Sequence, residues 1–188
     1  MRTARNFESD LKASNTPEIR KSWEKIFKIK FGEDCTINWK DNISIQKEMG
    51  TDTTVTTKNG RRFSVELKTR KHGCNDNYLM EIKSHIYDKP GEGKKFLYSK
   101  TGWIYTTTAE YIFHATLNEK GDGITKVILY SLTPFKDKIY KSEFSKYEYF
   151  GLSTDYKNGN WQWTINCLIP KNIIKRDANE FWEWEAVK

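Results

Sequence analysis

A change of hydrophobic period at Gly32 constrains this chain more than any other feature. Before it, "NTPEIRKSWEKIFKIKF" carries Ile19, Trp23, Ile26 and Phe27 at helical spacing, which makes one core-facing stripe. Thr16 suits the N-cap, Pro17 the first helical position and Gly32 the stop. After it, the period shortens. "CTINW", "TTVTT", "RFSVELK", "NYLMEIKS", "GWIYTT", "EYIFHATL" and "TKVILYSL" are rich in β-branched and aromatic residues, and Gly, Asn, Asp or Pro bounds each. Strands are expected there. "TPFKDKIY" reads as a short helix with Thr133 as cap, and "NWQWTINCLI" as a strand stopped by Pro170. "NEFWEWEAVK" fits either state. One helix, a run of strands and then helical pieces suggest α/β or α+β, with a mixed sheet flanked by helices.

The size fits one domain over residues 1–188, with 1–15 as a polar, loose arm. No repeat or long linker divides it. No apolar run approaches the roughly 20 residues that span a bilayer, and the start of the chain lacks the apolar segment of a secretory signal. The expected compartment is the cytoplasm, or the host cytoplasm for a viral protein. Cys35, Cys74 and Cys167 are far apart and odd in number, so no disulfide framework follows. The net charge of +7 favours a polyanionic partner, nucleic acid ahead of an anionic membrane. Ordinary solvated lysines are the bland alternative.

The segment "GTDTTVTTKNGRRFSVELKTR" poses a sharper question, because acids and a lysine have no use on a buried sheet face. In "RFSVELK", Phe63, Val65 and Leu67 share one face, and Arg62, Ser64, Glu66 and Lys68 the other. Glu66 and Lys68 are then about 6.5–7 Å apart along the strand. A two-residue turn at Asn59-Gly60 would set Asp52 opposite Leu67. A three-residue loop, Lys58-Asn59-Gly60 with Gly60 left-handed, sets Val55 opposite Phe63 and Asp52 opposite Glu66. Register follows the apolar pattern, so the second pairing is expected. It gathers Asp52, Glu66 and Lys68 on one wet face.

Such a set has a chemical use. Carboxylates bind Mg²⁺, which keeps waters and takes up substrate phosphate. A lysine beside the ion can orient or deprotonate a water and steady a developing negative charge. The bland reading is a surface ion pair of little consequence.

Asp52, thirteen intervening residues and then Glu66-Leu67-Lys68, all after a helix, resemble the PD-(D/E)XK nuclease superfamily. The resemblance covers roughly residues 16–117. It implies a restriction-endonuclease-like central mixed β-sheet flanked by helices, and Mg²⁺-dependent phosphodiester cleavage, mostly of DNA. Mn²⁺ is expected to substitute for Mg²⁺. By matching positions, Asp52 and Glu66 would be metal ligands, the Leu67 carbonyl could join them, and Lys68 would be the catalytic lysine. Thr51 stands where the motif has its proline. "YLMEIKS" and "GWIYTTTAEYIFH" look like segments of small virus- or phage-type members.

Other acids stay open. Glu81-Ile82-Lys83 is a second Glu-x-Lys, and Glu81 could face the site from an adjacent strand. Some family members add a helix glutamate. Glu18 and Glu24 lie off the core stripe, and Glu48 precedes the hairpin. Arg61, Arg62, Arg70 and Lys71 flank the site in sequence. The loop "DKPGEGKKFLYSKTG", with Lys89, Lys94, Lys95 and Lys100, could close over phosphates. Trp23 and one of Trp161 and Trp163 are expected in the core, and His114 is expected to be structural. The leading reading is a nuclease, with DNA ahead of RNA and no membrane partner. A non-catalytic nucleic-acid-binding protein on the same fold is the alternative, and a homodimer stays open.

Overall fold

The computed structural model describes residues 16–40, 51–70, 77–88, 95–156 and 160–186, with side chains omitted over 148–161. The described residues are mixed α/β, with mostly antiparallel pairing. The predicted first helix is α1, Pro17–Phe31. The Thr16 hydroxyl accepts a hydrogen bond from the Ile19 amide, and the Gly32 amide closes the last turn on Lys28. Gly32 has φ 98°, a conformation that glycine adopts without penalty.

Strands β1 (Thr36–Trp39), β2 (Thr53–Thr56), β3 (Arg62–Arg70), β6 (Tyr111–Leu117), β7 (Ile124–Ser131) and β10 (Phe181–Glu185) form a six-stranded sheet, in the order β1-β2-β3-β6-β7-β10. β4 (Asn77–Tyr87), β5 (Phe96–Thr101), β8 (Glu148–Tyr156) and β9 (Asn160–Pro170) form a second sheet, in the order β5-β4-β9-β8. Among the described residues, β3 with β6 is the one parallel pair. Parallel neighbours need a crossover, most often a helix. Here the chain from β3 to β6 runs instead through β4, β5 and the single-turn helix α2, Trp103–Thr106.

That crossover explains why the first sheet is covered on both faces. On one face, Ile19, Trp23, Ile26 and Phe27 of α1 pack on Val55, Phe63, Val65, Phe113 and Leu129. Each such side chain contributes about 1.5–3 kcal/mol when fully buried. On the other face, Ile112, Ile128 and Tyr130 meet Tyr78 and Met80 of β4, and Cys167 and Ile169 of β9. Short helices α3 (Thr133–Tyr140) and α4 (Lys171–Asp177) complete that layer through Phe135, Ile139 and Ile174. The expected sheet between helices is therefore corrected to a sheet between one helix and a second sheet with short helices.

Several local expectations change as well. "GWIYTT" is not a strand: Gly102 caps α2, and a residue with a side chain would not fit there. A Cβ on Gly102 would lie 2.1 Å from the Glu81 carbonyl oxygen. "FLYSKT", read as part of a loop, is β5, while residues 89–94 of that loop lie outside the described residues. Thr133 is the first helical residue of α3 rather than its cap. The ambiguous tail is β10, paired with β7. Residues 1–15, the expected arm, are outside the description. No helix among the described residues is long and apolar enough to cross a membrane.

Candidate active site

The hairpin adopts the expected register. Val55 pairs with Phe63 and Thr53 with Val65, and the Thr57 amide donates to Arg61 at 2.9 Å. The loop is Lys58-Asn59-Gly60, with Gly60 at φ 81°. One detail departs from a straight ladder. The Asp52 amide donates to the Val65 carbonyl at 3.0 Å, although Val65 is the ladder partner of Thr53. The chain is thus offset by a residue where it joins β2. Instead of pointing straight across at Glu66, the Asp52 carboxylate accepts the Leu67 amide at 2.7 Å.

This offset places Asp52 at the point where β3 runs on past the start of β2. In an extended strand the N–H and C=O of one residue point the same way, so the Leu67 carbonyl lies on the Asp52 side. Thr51, in the position of the motif proline, is buried and shares a 3.0 Å hydrogen bond with Thr108.

Glu66 and Lys68 project from the face of β3 opposite α1, and they are hydrogen-bonded to each other as an ion pair. The expectation of a wet face is corrected here. The second layer covers it, and Glu66 keeps only 6% of its surface exposed. Lys68 retains 32% of its side-chain exposure, and its ammonium lies 4.6 Å from the centre of the Trp103 ring. Trp103 is held there by α2, whose Gly102 amide donates to Ile82 at 2.7 Å.

Burial pushes the Glu66 carboxyl up to about 7, and the neighbouring Asp52 charge pushes the same way against the pull of Lys68. For Lys68, burial favours the neutral amine, but the charges of Glu66, Asp52 and Glu81 outweigh it. The group therefore sits above the ordinary lysine value and is charged. Asp52 thus contributes to the field at both groups. Glu81 joins that field from β4, where its carboxylate accepts the Ser84 hydroxyl at 2.8 Å. A bulge between Glu81 and Lys83 marks this part of the strand.

The other candidates separate. Glu24 accepts the Trp39 indole N–H at 3.4 Å on α1, which covers the opposite face of the sheet. Glu18 lies in the first turn of α1. Glu48, Lys71, Lys89 and Lys94 are outside the described residues. Arg61 sits at the hairpin loop over Phe63. Arg70 turns to the layer interface, where its guanidinium bonds Thr116 at 3.0 Å and the Tyr78 hydroxyl at 3.1 Å. Beside Lys68 across the parallel pair is His114, buried and hydrogen-bonded to the Tyr130 hydroxyl at 3.0 Å. Burial, then Arg70 and Lys68, hold its imidazole well below the usual histidine range, which agrees with a structural residue. Trp103 was missed as a site residue, because a single helical turn between two strands has no periodicity to read.

Asp52, Glu66 and the Leu67 carbonyl could together offer hard oxygen donors to a cation. Among the described residues, no three His, Cys, Asp or Glu side chains form a metal cage. Two carboxylates and a backbone carbonyl match Mg²⁺, which binds through one or two carboxylates and fills the rest with water and phosphate oxygen. Burial first, and then the Asp52 charge, raise Glu66, and a divalent cation between the two would favour both charged forms. Comparisons of the chain with protein-family models, with curated proteins and with solved structures return no match.

Proposed function

We propose that the protein is a metal-dependent nuclease of the restriction-endonuclease-like, PD-(D/E)XK type, hydrolysing phosphodiester bonds, with DNA as the preferred substrate. One observation carries this reading. The hairpin register brings Asp52 to the Leu67 amide while Glu66 and Lys68 form a covered ion pair within the Asp52 field. A purely structural ion pair has no need of a third charged group in a site that already costs desolvation.

In this reading, Asp52, Glu66 and the Leu67 carbonyl hold Mg²⁺, or Mn²⁺ in its place. The ion would polarise the phosphodiester and lower the pKa of a bound water. Lys68 is charged, so it serves as a fixed positive group that orients the attacking water and steadies the charge developing on phosphorus oxygens. Trp103 limits where the Lys68 ammonium can move and excludes water from one side of it. Glu81 adds negative potential that keeps Lys68 protonated. The net charge of +7 favours a polyanionic substrate.

The test incubates the purified protein with plasmid, single-stranded DNA and RNA in parallel, with Mg²⁺ or with a chelator. Mg²⁺-dependent cleavage is expected. Asp52→Ala, Glu66→Gln and Lys68→Ala should each lower it on the order of a hundredfold or more, as losing an electrostatic group from an active site does. Circular dichroism should show these variants folded. A folded variant with wild-type cleavage removes that residue from the site, and no cleavage of any substrate by the wild type sinks the reading.

A further inference from the structure

The second sheet carries a feature that the cleavage site does not use. Among the described residues, seven large hydrophobic side chains are exposed; Ile29 and Tyr140 lie on helices, and the other five, Leu79, Phe96, Leu97, Tyr98 and Trp163, lie on β4, β5 or β9. Ser84 and Ile86 of β4 are buried, and His85 and Tyr87 alternate with them on the other face of the strand. Strand pairing sets His85 beside Trp163 and Tyr87 beside Phe96. Phe96 lies 6.0 Å from His85 and 5.8 Å from Tyr87, with ring planes tilted by 60° and 71°. Phe96 is 50% exposed and Trp163 38%. Lys83 lies on the same face two residues before His85, and Lys95 immediately precedes Phe96. Asp88, the acid nearest this group in the chain, has its carboxylate engaged by the Lys95 amide at 2.7 Å.

We propose that this exposed cluster of rings on β4, β5 and β9 is a stacking platform for single-stranded nucleic acid, with His85, Tyr87, Phe96 and Trp163 meeting bases and Lys83 and Lys95 meeting phosphates. For its partner class it rests on the nuclease reading. Rings offered side by side on neighbouring strands suit unpaired bases, whose faces a duplex hides inside its own stack. Lysines beside the rings match the phosphate charge. β5 also runs directly into Gly102 and Trp103, and Trp103 covers Lys68. A strand laid along β5 would thus be led toward the cleavage site, which makes single strands or frayed ends the favoured substrate.

The experiment measures binding without metal, so that cleavage plays no part. The full chain is titrated in chelator against fluorescein-labelled oligothymidylate and oligouridylate of about 15 nucleotides, within the usual range of site sizes, and against a duplex of equal length. Fluorescence anisotropy should show tighter binding to the single strands. Phe96→Ala and Trp163→Ala should each weaken it about five- to a hundredfold, the range for losing one stacked base. If Trp163→Ala fails to fold, Phe96→Ala together with Lys83→Gln and Lys95→Gln carries the test. Single-strand affinity unchanged in Phe96→Ala and in the lysine variants overturns the platform and leaves the rings to a protein partner. Phe96-dependent binding with no Mg²⁺-dependent cleavage keeps the platform and ends the nuclease reading. Cleavage lost in Asp52→Ala, with binding indifferent to Phe96 and Trp163, does the reverse.

Discussion

On the first sheet, Trp23 of α1 meets Phe113 of β6 edge to face at 6.1 Å, with 2% and 0% of their surfaces exposed. In the second, Phe96 meets His85 and Tyr87 at similar spacings with half of its surface open. The ring geometry is alike and the environment is opposite. The first sheet is buried on both faces, so its rings act through area removed from water. In the second sheet the Phe96 ring keeps half of its surface open, so it adds little to folding. Between the sheets lies a charged row, Glu66, Lys68 and Arg70, held by groups from both.

Equal truncations should have very unequal costs. Trp23→Ala should lose about 3–5 kcal/mol of stability, the usual cost of deleting a large buried ring. Phe96→Ala should stay within about 0.5 kcal/mol of wild type, as surface substitutions do. Urea unfolding of both variants measures this. A comparable loss in the two would mean that the Phe96 ring is packed rather than displayed.

The joint between the sheets gives the next effect. Gly102→Ala puts a methyl group against the Glu81 and Ile82 backbone, with contacts of 2.1 to 2.4 Å, so main chain has to move. A loss of about 1–3 kcal/mol is expected from such overpacking. Cleavage should fall with it, because Trp103 shifts relative to Lys68. A variant with wild-type melting temperature and activity would show that the crossover is not rigid at that point.

The smallest effect is a pH dependence at the interface. His114 has a folded pKa below its unfolded value of about 6.5, so the unfolded chain takes up a proton first as the pH falls. Its contribution to stability is therefore present above that value and lost below it. Glu66, raised to about 7, works in the opposite sense: it favours the folded state at low pH, and this is lost as the pH rises through about 7. That second slope is common to wild type and His114→Gln and cancels in their difference. The melting temperature of His114→Gln should drop less than that of wild type between about pH 7.5 and 5. Equal drops would show that the imidazole is not buried against protonation.

Much of the fold was legible where one local pattern dominates. The Thr16 and Pro17 start of α1, its stripe and its Gly32 stop were readable because capping and periodicity act within a few residues. The β2–β3 register was readable because one pairing matches Val55 with Phe63, and Gly60 supplies the left-handed residue that its loop needs. The strand–helix error at "WIYT" has a physical cause as well. Its residues favour strands locally, but Gly102 brings the backbone against Glu81 and Ile82 and turns the chain. Trp163, expected as a core candidate, keeps 38% of its surface exposed, because alternation names a face without saying how far along the strand that face is covered.

The sequence by itself determined that Asp52 and Glu66-Leu67-Lys68 belong to one hairpin end, since turn chemistry and apolar matching are local. Only the tertiary structure decided what that face meets. The crossover from β3 to β6 lays β4, β5 and α2 over Glu66 and Lys68, and this removes water, raises the Glu66 pKa and places Trp103 and Glu81 beside the lysine. Desolvation depends on groups far away in the chain, and no spacing within a hairpin encodes it.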